Sequence, residues 1–350
     1  MIFAEILNKN KVLLKSVSNI FIVLNVLLLP LYGSSSKTYP FTYNHEYPVQ
    51  FHRSSIFVVS QQSSKTLEKR SILGALLWKI VVDSPIKQFS CRFDSVFILD
   101  QDGVLTVLNN QEGYKKWSIQ DHDFLDIYIQ FPYLIYRTKT NKWGSLSFND
   151  GQLLWEKTIK PNVDMGFIGH SGQFALVYRR RLDCIDLVQG DTRHKIKLPD
   201  DAISIETAWN KGLIIRGKTD FYHVNMETQA VNPIVINNTP PNGGYIQEHY
   251  QLAYNKKEAH IMLREIVTGE TVWTTPVSPS LTDMTVSRRD VLLQYTPTHN
   301  EVLSWLTPSR NRTKVTVPEG KINYFYREGN SFLTIVDDTI THEQIIKEKE

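Results

Sequence analysis

Cysteine is almost missing from this chain: 350 residues hold two, Cys91 and Cys184. Two thiols so far apart in sequence are no disulfide framework, and the repeat derived below puts them in different structural units, as two separately buried side chains. Excess charge of one sign is missing too. The formal net charge is +3, and with Lys9, Lys11, Lys15 and Glu5 of the N-terminal segment set aside, 36 basic and 35 acidic groups remain. That balance excludes the electrostatic signature of nucleic-acid binding or of docking on an anionic membrane surface. Metal-ligand spacing is equally scarce. The ten histidines, among them His45, His52, His122, His170, His194 and His223, show no H-x-x-H or H-E-x-x-H pattern, which leaves no zinc motif.

Long apolar runs are limited to one. Residues 20–32, IFIVLNVLLLPLY, follow three lysines and precede GSSS. Thirteen helical residues rise roughly 20 Å, short of a ~30 Å hydrocarbon core. Basic, apolar and small-residue regions in that order read as a secretory signal peptide over residues 1–36, with an uncleaved signal anchor as the alternative. Residues 37–350 are then expected to form a single domain in an exported compartment.

What the chain does have is a metre. Glycine precedes tryptophan by four residues at Gly74/Trp78, Gly113/Trp117, Gly151/Trp155 and Gly269/Trp273. Stepping about 39 residues from Gly151 reaches Gly190, with His194 at the tryptophan position, and then Gln229, a degenerate copy followed by Pro233. The turn TPSRNR (307–312) with Thr313 continues the series. Short apolar runs such as IFVVS (56–60), VFILD (96–100), YLIYR (133–137) and SFLTIV (331–336) keep the same spacing. A period near 40 built of short β-type runs and turns predicts an all-β fold, a β-propeller with about four strands per blade. Eight apolar runs point to eight blades; seven blades with an irregular terminal segment is the alternative. The last blade runs out after three strands, and TYPFTYNHEY (38–47) is expected to supply the fourth and so close the ring. In this reading the glycine closes the outer hairpin with φ > 0, and the tryptophan fills the interface with the next blade. Where tryptophan is replaced, at His194, Pro233 and Thr313, thinner interfaces are expected.

The Gly-x-x-x-Trp mark carried by these residues resembles the pyrroloquinoline-quinone-like propeller repeat. The resemblance implies the fold rather than an activity. That family spans quinone-dependent dehydrogenases, bacterial outer-membrane assembly lipoproteins, sensor domains of unfolded-protein kinases, and the large subunit of the endoplasmic-reticulum membrane protein complex. The dehydrogenase branch pairs adjacent cysteines, which this chain lacks. The lipoprotein branch needs a cysteine directly after its signal, and none follows Tyr32. The membrane-complex and kinase branches continue into further domains, whereas this sequence stops at IIKEKE.

Local fragments read as turns. GHSGQ (169–173) lacks the last glycine of a nucleophile elbow, and LDQDG (99–103) has too few oxygen ligands for a calcium loop. YRRRLD (178–183) is a hairpin with a solvated basic tip, or a small patch for an acidic partner. NNTPPNGGY (237–245) is a long inter-blade link, and Asn237 and Asn311 are glycosylation acceptors in a eukaryotic secretory setting. No catalytic, cofactor or metal constellation emerges. The expected function is a non-enzymatic scaffold that contacts other proteins in the endoplasmic-reticulum lumen, or else secreted or periplasmic, serving membrane-protein insertion, folding or maturation. The alternatives are a quinone- or metal-dependent oxidoreductase and a glycan- or protein-binding surface module.

Overall fold

The computed structural model describes residues 37–39, 47–120, 123–160, 164–168, 172–234, 245–255, 257–286, 290–295, 299–304, 313–315, 322–328, 331–336 and 339–344. The segment 1–36, the triplet 169–171, most of NNTPPNGGY and both glycosylation acceptors, Asn237 and Asn311, lie outside these residues.

Every regular element among the described residues is a β-strand, and the strands form eight four-stranded antiparallel sheets. Residues 50–81, 86–119, 124–158, 164–197, 202–234, 245–276 and 281–315 each supply one sheet in simple meander order. The eighth joins Ile322–Glu328, Ser331–Val336 and Thr339–Gln344 to the N-terminal strand Lys37–Tyr39. Lys37 pairs with His342, Thr38 with Thr341 and Tyr39 with Ile340. The expected N-terminal closing strand is therefore present.

The short apolar runs of the sequence are the second strands. Ser55–Val59 and Ser95–Asp100 are buried at every position. A strand enclosed by its neighbours and covered on both faces by adjacent sheets reads as a continuous apolar run rather than an alternating one. Apolar clusters join the first through seventh sheets in turn. Phe57 and Leu67 of the first meet Phe89 and Val96 of the second, Phe97 meets Phe124 and Tyr136 of the third, and Trp143 meets Phe174 of the fourth. Ile56 and Val58 pack on Leu333 and Ile335, so the eighth sheet lies against the first.

Between the seventh and eighth sheets a polar contact appears at 3.4 Å, from Arg327 to Asp290.

The Gly-x-x-x-Trp mark is an inter-sheet lock. Gly113, Gly151 and Gly190 all have positive φ, 78°, 73° and 71°, where a Cβ would strain the backbone. A second constraint acts on the same atoms. A Cβ on Gly190 would lie 2.5 Å from the Trp155 ring, one on Gly151 2.8 Å from Trp117, and one on Gly113 2.9 Å from Trp78. Each tryptophan thus seats on the glycine of the following sheet. Trp78 donates its indole N–H to Asn110 O at 3.1 Å, and Trp155 to Leu187 O at 2.9 Å. The register shifts by one residue just before Trp78, Trp117, Trp155, His194 and Trp273. These β-bulges turn the strand, and the side chain that follows reaches the neighbouring sheet.

The degenerate copies behave differently from one another. At the fourth-to-fifth junction His194 Nδ1 lies 3.0 Å from the Gln229 amide, and Gln229 keeps φ at 58°. A hydrogen-bonded pair replaces the ring-on-glycine seat, and Asn225 holds the turn by accepting the amides of Glu227 and Thr228. The cluster beneath, from Ala175 and Val177 to Leu213 and Ile215, is extensive; the expectation of a thin interface at His194 is corrected by this apolar packing. At Pro233 the register runs without a bulge, and only Ile214 and Ile266 form the buried core of the cluster there.

Cys91 lies on the inner strand of the second sheet and Cys184 on the third strand of the fourth, both free and buried. Burial pushes both thiols up, that of Cys184 to about 12. Since the thiolate is the nucleophile, a thiol-reactive disulfide reagent is expected to leave both unlabelled in the native protein. Two equivalents should react in denaturant; rapid native labelling would contradict this burial.

Candidate functional site: the hairpin face

In the first, second, third, fifth and sixth sheets, where the connection is described, the first and second strands meet in a two-residue hairpin, and the third and fourth strands turn back at the same end. These turns share one face of the molecule. The described tips of the first kind are Arg53–Ser54, Phe93–Asp94, Phe131–Pro132, Asn210–Lys211 and Glu248–His249, each between strands whose bounds leave two residues over. Two-residue reversals that match the right-handed strand twist favour φ > 0 at the tip. Arg53, Ser54, Phe93 and Glu248 adopt it without being glycine, at 46°, 55°, 53° and 53°. The scaffold repeats, whereas the tips differ in chemistry, which is where specificity resides in loop-bearing folds.

Two regions stand out. At the second and third sheets the rings of Phe93 and Phe131 lie 4.5 Å apart, tilted by 50°. Both touch Phe148 beneath, at 6.0 and 5.3 Å. Phe93 is 47% exposed and Phe131 51%, while Phe148 is 3% exposed. His52 of the first sheet contacts Phe93 O at 2.7 Å, and burial lowers its pKa.

The second region is a cleft of about 550 Å³ between the fifth and sixth sheets. Trp209, at the end of the inner strand Ala202–Trp209, forms its centre. The His223 ring stacks on that indole at 5.5 Å and 10°, and His249 lies 5.6 Å from it at 39°. Gly212 admits this stack, since a Cβ there would come within 2.7 Å of His223 Nε2. Lys211, Glu248 and Glu265 line the opening. His223 is 6% exposed, and burial lowers its pKa, which favours the neutral imidazole.

Solved structures with this arrangement exist. The chain is similar to BamB from Moraxella catarrhalis at 12% identity and a TM-score of 0.54, over 90% of this chain and 99% of that one. It is similar to the computationally designed Ika8 protein at 12% identity and a TM-score of 0.57, over 90% of this chain and 98% of that one. The fold is a β-propeller. At such identity the likeness is one of architecture, and no family model and no curated protein matches the sequence.

Of the residues singled out by sequence, Gly74, Trp78, Gly113, Trp117, Gly151, Trp155, Gly190, Gly269 and Trp273 occupy the turns and outer strands. Those are framework positions, and their turns adjoin the two hairpin-tip regions: Phe148 lies beneath the phenylalanine pair, and Glu265 and Val267 line the cleft. YRRRLD forms the turn between the strands Gln173–Val177 and Arg181–Asp186, and Arg180 pairs with Asp201 at 3.1 Å. LDQDG is likewise a turn, in which Asp100 accepts the Val104 amide at 2.8 Å. Sequence reasoning passed over Phe93 and Phe131 because an aromatic tip recurs only once, after 38 residues, and over Trp209 because it has no aromatic echo one period away.

A second clasp, on the inner strands, was also missed. Gln50 donates to Phe89 O at 2.7 Å and accepts from Cys91 N at 2.9 Å. Gln88 donates to Ile127 O at 2.9 Å and accepts from Ile127 N at 3.3 Å, and Asp164 accepts from Ile205 N at 2.7 Å. These side chains continue the hydrogen-bonded ladder from one sheet to the next, and their 38-residue recurrence was the available signal.

Among the described residues no group of three or more His, Cys, Asp or Glu could hold a metal, and no helix is long and apolar enough to cross a membrane.

Proposed function

We propose that this protein is a non-enzymatic binding scaffold that engages other proteins through its hairpin face. The observation that carries the reading is the Phe93–Phe131 pair. Two half-exposed rings rest on a buried third, on hairpins fixed by the sheets behind them. Exposed aromatic groups held rigidly bind with little further loss of conformational entropy. The N-terminal basic and apolar segment supports an exported compartment, either the secretory lumen of a eukaryote or a periplasm. Service in membrane-protein insertion, folding or maturation follows from the resemblance of the repeat and rests on it alone.

The test is site-specific photocrosslinking in native cells, with a photoreactive phenylalanine analogue at Phe93 or Phe131. The expected outcome is a discrete protein adduct from either position, abolished when the other is changed to alanine. Adduct formation that ignores the second substitution would overturn the reading. Stoichiometric retention of quinone or calcium by the purified protein, with the matching absorbance, would favour the oxidoreductase alternative instead.

A further inference from the structure

The cleft at Trp209 has a chemistry distinct from the phenylalanine pair. Its walls come from both sheets: Ala208 to Lys211, His223 and Asn225 from the fifth, and Glu248, His249, Glu265 and Val267 from the sixth. Its volume falls within the roughly 300–1,000 Å³ of sites that enclose a small group.

Three features define what fits. Two carboxylates, Glu248 and Glu265, face one ammonium, Lys211, which itself lies 4.0 Å from Glu227 on the same sheet. The lining is therefore net acidic and rich in acceptors. The indole with its two imidazoles provides flat faces. Finally, the cleft holds a buried polar atom without a partner: His249 Nδ1 is enclosed and makes no hydrogen bond among the described residues, and His223 lines the same cleft. Unpaired buried groups are costly and call for an explanation such as a ligand that rearranges around them. With His223 neutral, it adds no positive charge to oppose a cation.

A planar cation with several N–H donors meets all three conditions. Guanidinium stacks on aromatic faces and bridges carboxylates in a fixed fork, whereas ammonium is a compact, strongly hydrated point charge. We propose that this cleft takes the arginine side chain of a partner polypeptide. The assignment rests on the scaffold reading above and names the kind of residue the partner inserts. The partner's arginine would lie between Glu248 and Glu265, with its plane along the Trp209–His223 stack.

The probes are three blocked tripeptides, acetyl-Gly-X-Gly-amide with X as Arg, Lys or Glu. They are titrated into the full folded domain while the indole N–H signals are followed by heteronuclear NMR, that of Trp209 being assigned from Trp209→Phe. The arginine peptide is expected to shift the Trp209 signal saturably, with the lysine peptide weaker by roughly fivefold and the glutamate peptide inert. Glu248→Gln with Glu265→Gln should weaken arginine binding by about tenfold without moving the thermal transition. Glu248→Gln alone, at an exposed hairpin tip, serves if the double variant folds poorly. The proposal is overturned by equal binding of the glutamate peptide, by arginine binding that survives the substitutions, or by no saturable shift up to about 10 mM. Crosslinking from Phe93 and Phe131 reads another part of the face, so its success beside a silent cleft would remove this inference and leave the scaffold.

Discussion

Gly190→Ala should destabilise the protein by about 3 kcal/mol, and the double change with Trp155→Ala should cost less than the sum of the two separate changes by about 1 kcal/mol or more. Two effects meet at Gly190. Its φ of 71° is a left-handed conformation that costs an L-residue about 1–2 kcal/mol. The new methyl would also lie 2.5 Å from Trp155 Cδ2, and overpacking of that kind costs about 1–3 kcal/mol. Trp155 is 7% exposed and hydrogen-bonded, so it cannot simply swing away. Trp155→Ala alone removes a buried indole, for about 3–5 kcal/mol. In the double variant the overpacking disappears, leaving a coupling of about 1 kcal/mol or more between neighbours. Gly172 supplies the control. Its φ is 66°, and a Cβ there meets nothing within 4 Å, so Gly172→Ala reports the backbone part alone. Denaturant midpoints and slopes for the four variants check the scheme. Equal costs at Gly190 and Gly172, or strict additivity, would show that the tryptophan does not seat on the glycine.

The same residues show how far the sequence could be read. Period and strand rank were legible because they rest on local requirements that recur: a turn needing φ > 0, and a second strand covered on both faces. The partner of each tryptophan was not legible. Trp155 could have packed within its own sheet, and nothing in LLWEK announces the bulge that aims it at Gly190. His194 misled for a related reason. Loss of an aromatic at the outer strand suggested a weak interface, but the apolar residues that fill it, such as Leu213 and Ile215, sit on another strand.

The two hairpin-tip regions were invisible for a deeper reason. A periodic reading finds positions whose residue type repeats, whereas the tips that hold Phe93 and Phe131 carry Arg53, Asn210 and Glu248 in other sheets, and Trp209 ends an inner strand that has no aromatic there in the neighbouring sheets. Trp143 is a comparable case within the core. It lies 6.1 Å from Tyr128 and 6.0 Å from Phe174 in near-parallel stacks, and its counterpart in the fifth sheet, Phe221 beneath Arg216, is a different aromatic residue. Residues that touch across sheets have sequence separations near 40, and only the inner-strand clasp at Gln50 and Gln88 converts that separation into a visible spacing.

Removal of residues 1–46 should lower stability by about 3 kcal/mol, with the loss concentrated in the eighth sheet. Lys37–Tyr39 pairs with residues 340–342, and ladder hydrogen bonds contribute about 1 kcal/mol each. Without that strand, Thr339–Gln344 becomes an open edge. The rest of the ring has another tie, because Leu333 and Ile335 still pack on Ile56 and Val58. Leu333→Ala, which hollows that contact, should cost about 2–5 kcal/mol and act on the first sheet as well. The two routes to opening the ring therefore differ in where they are felt. Native-state hydrogen exchange separates them: truncation should speed exchange in 331–344 while Ser55–Val59 stays protected, and Leu333→Ala should loosen both. An open edge also templates pairing between copies, so the truncated protein should associate more as its concentration rises. A truncated chain that keeps the full midpoint, the full protection and the association state of the complete chain would mean that the N-terminal strand closes nothing, and that the packing of Ile56 and Val58 on Leu333 holds the ring unaided.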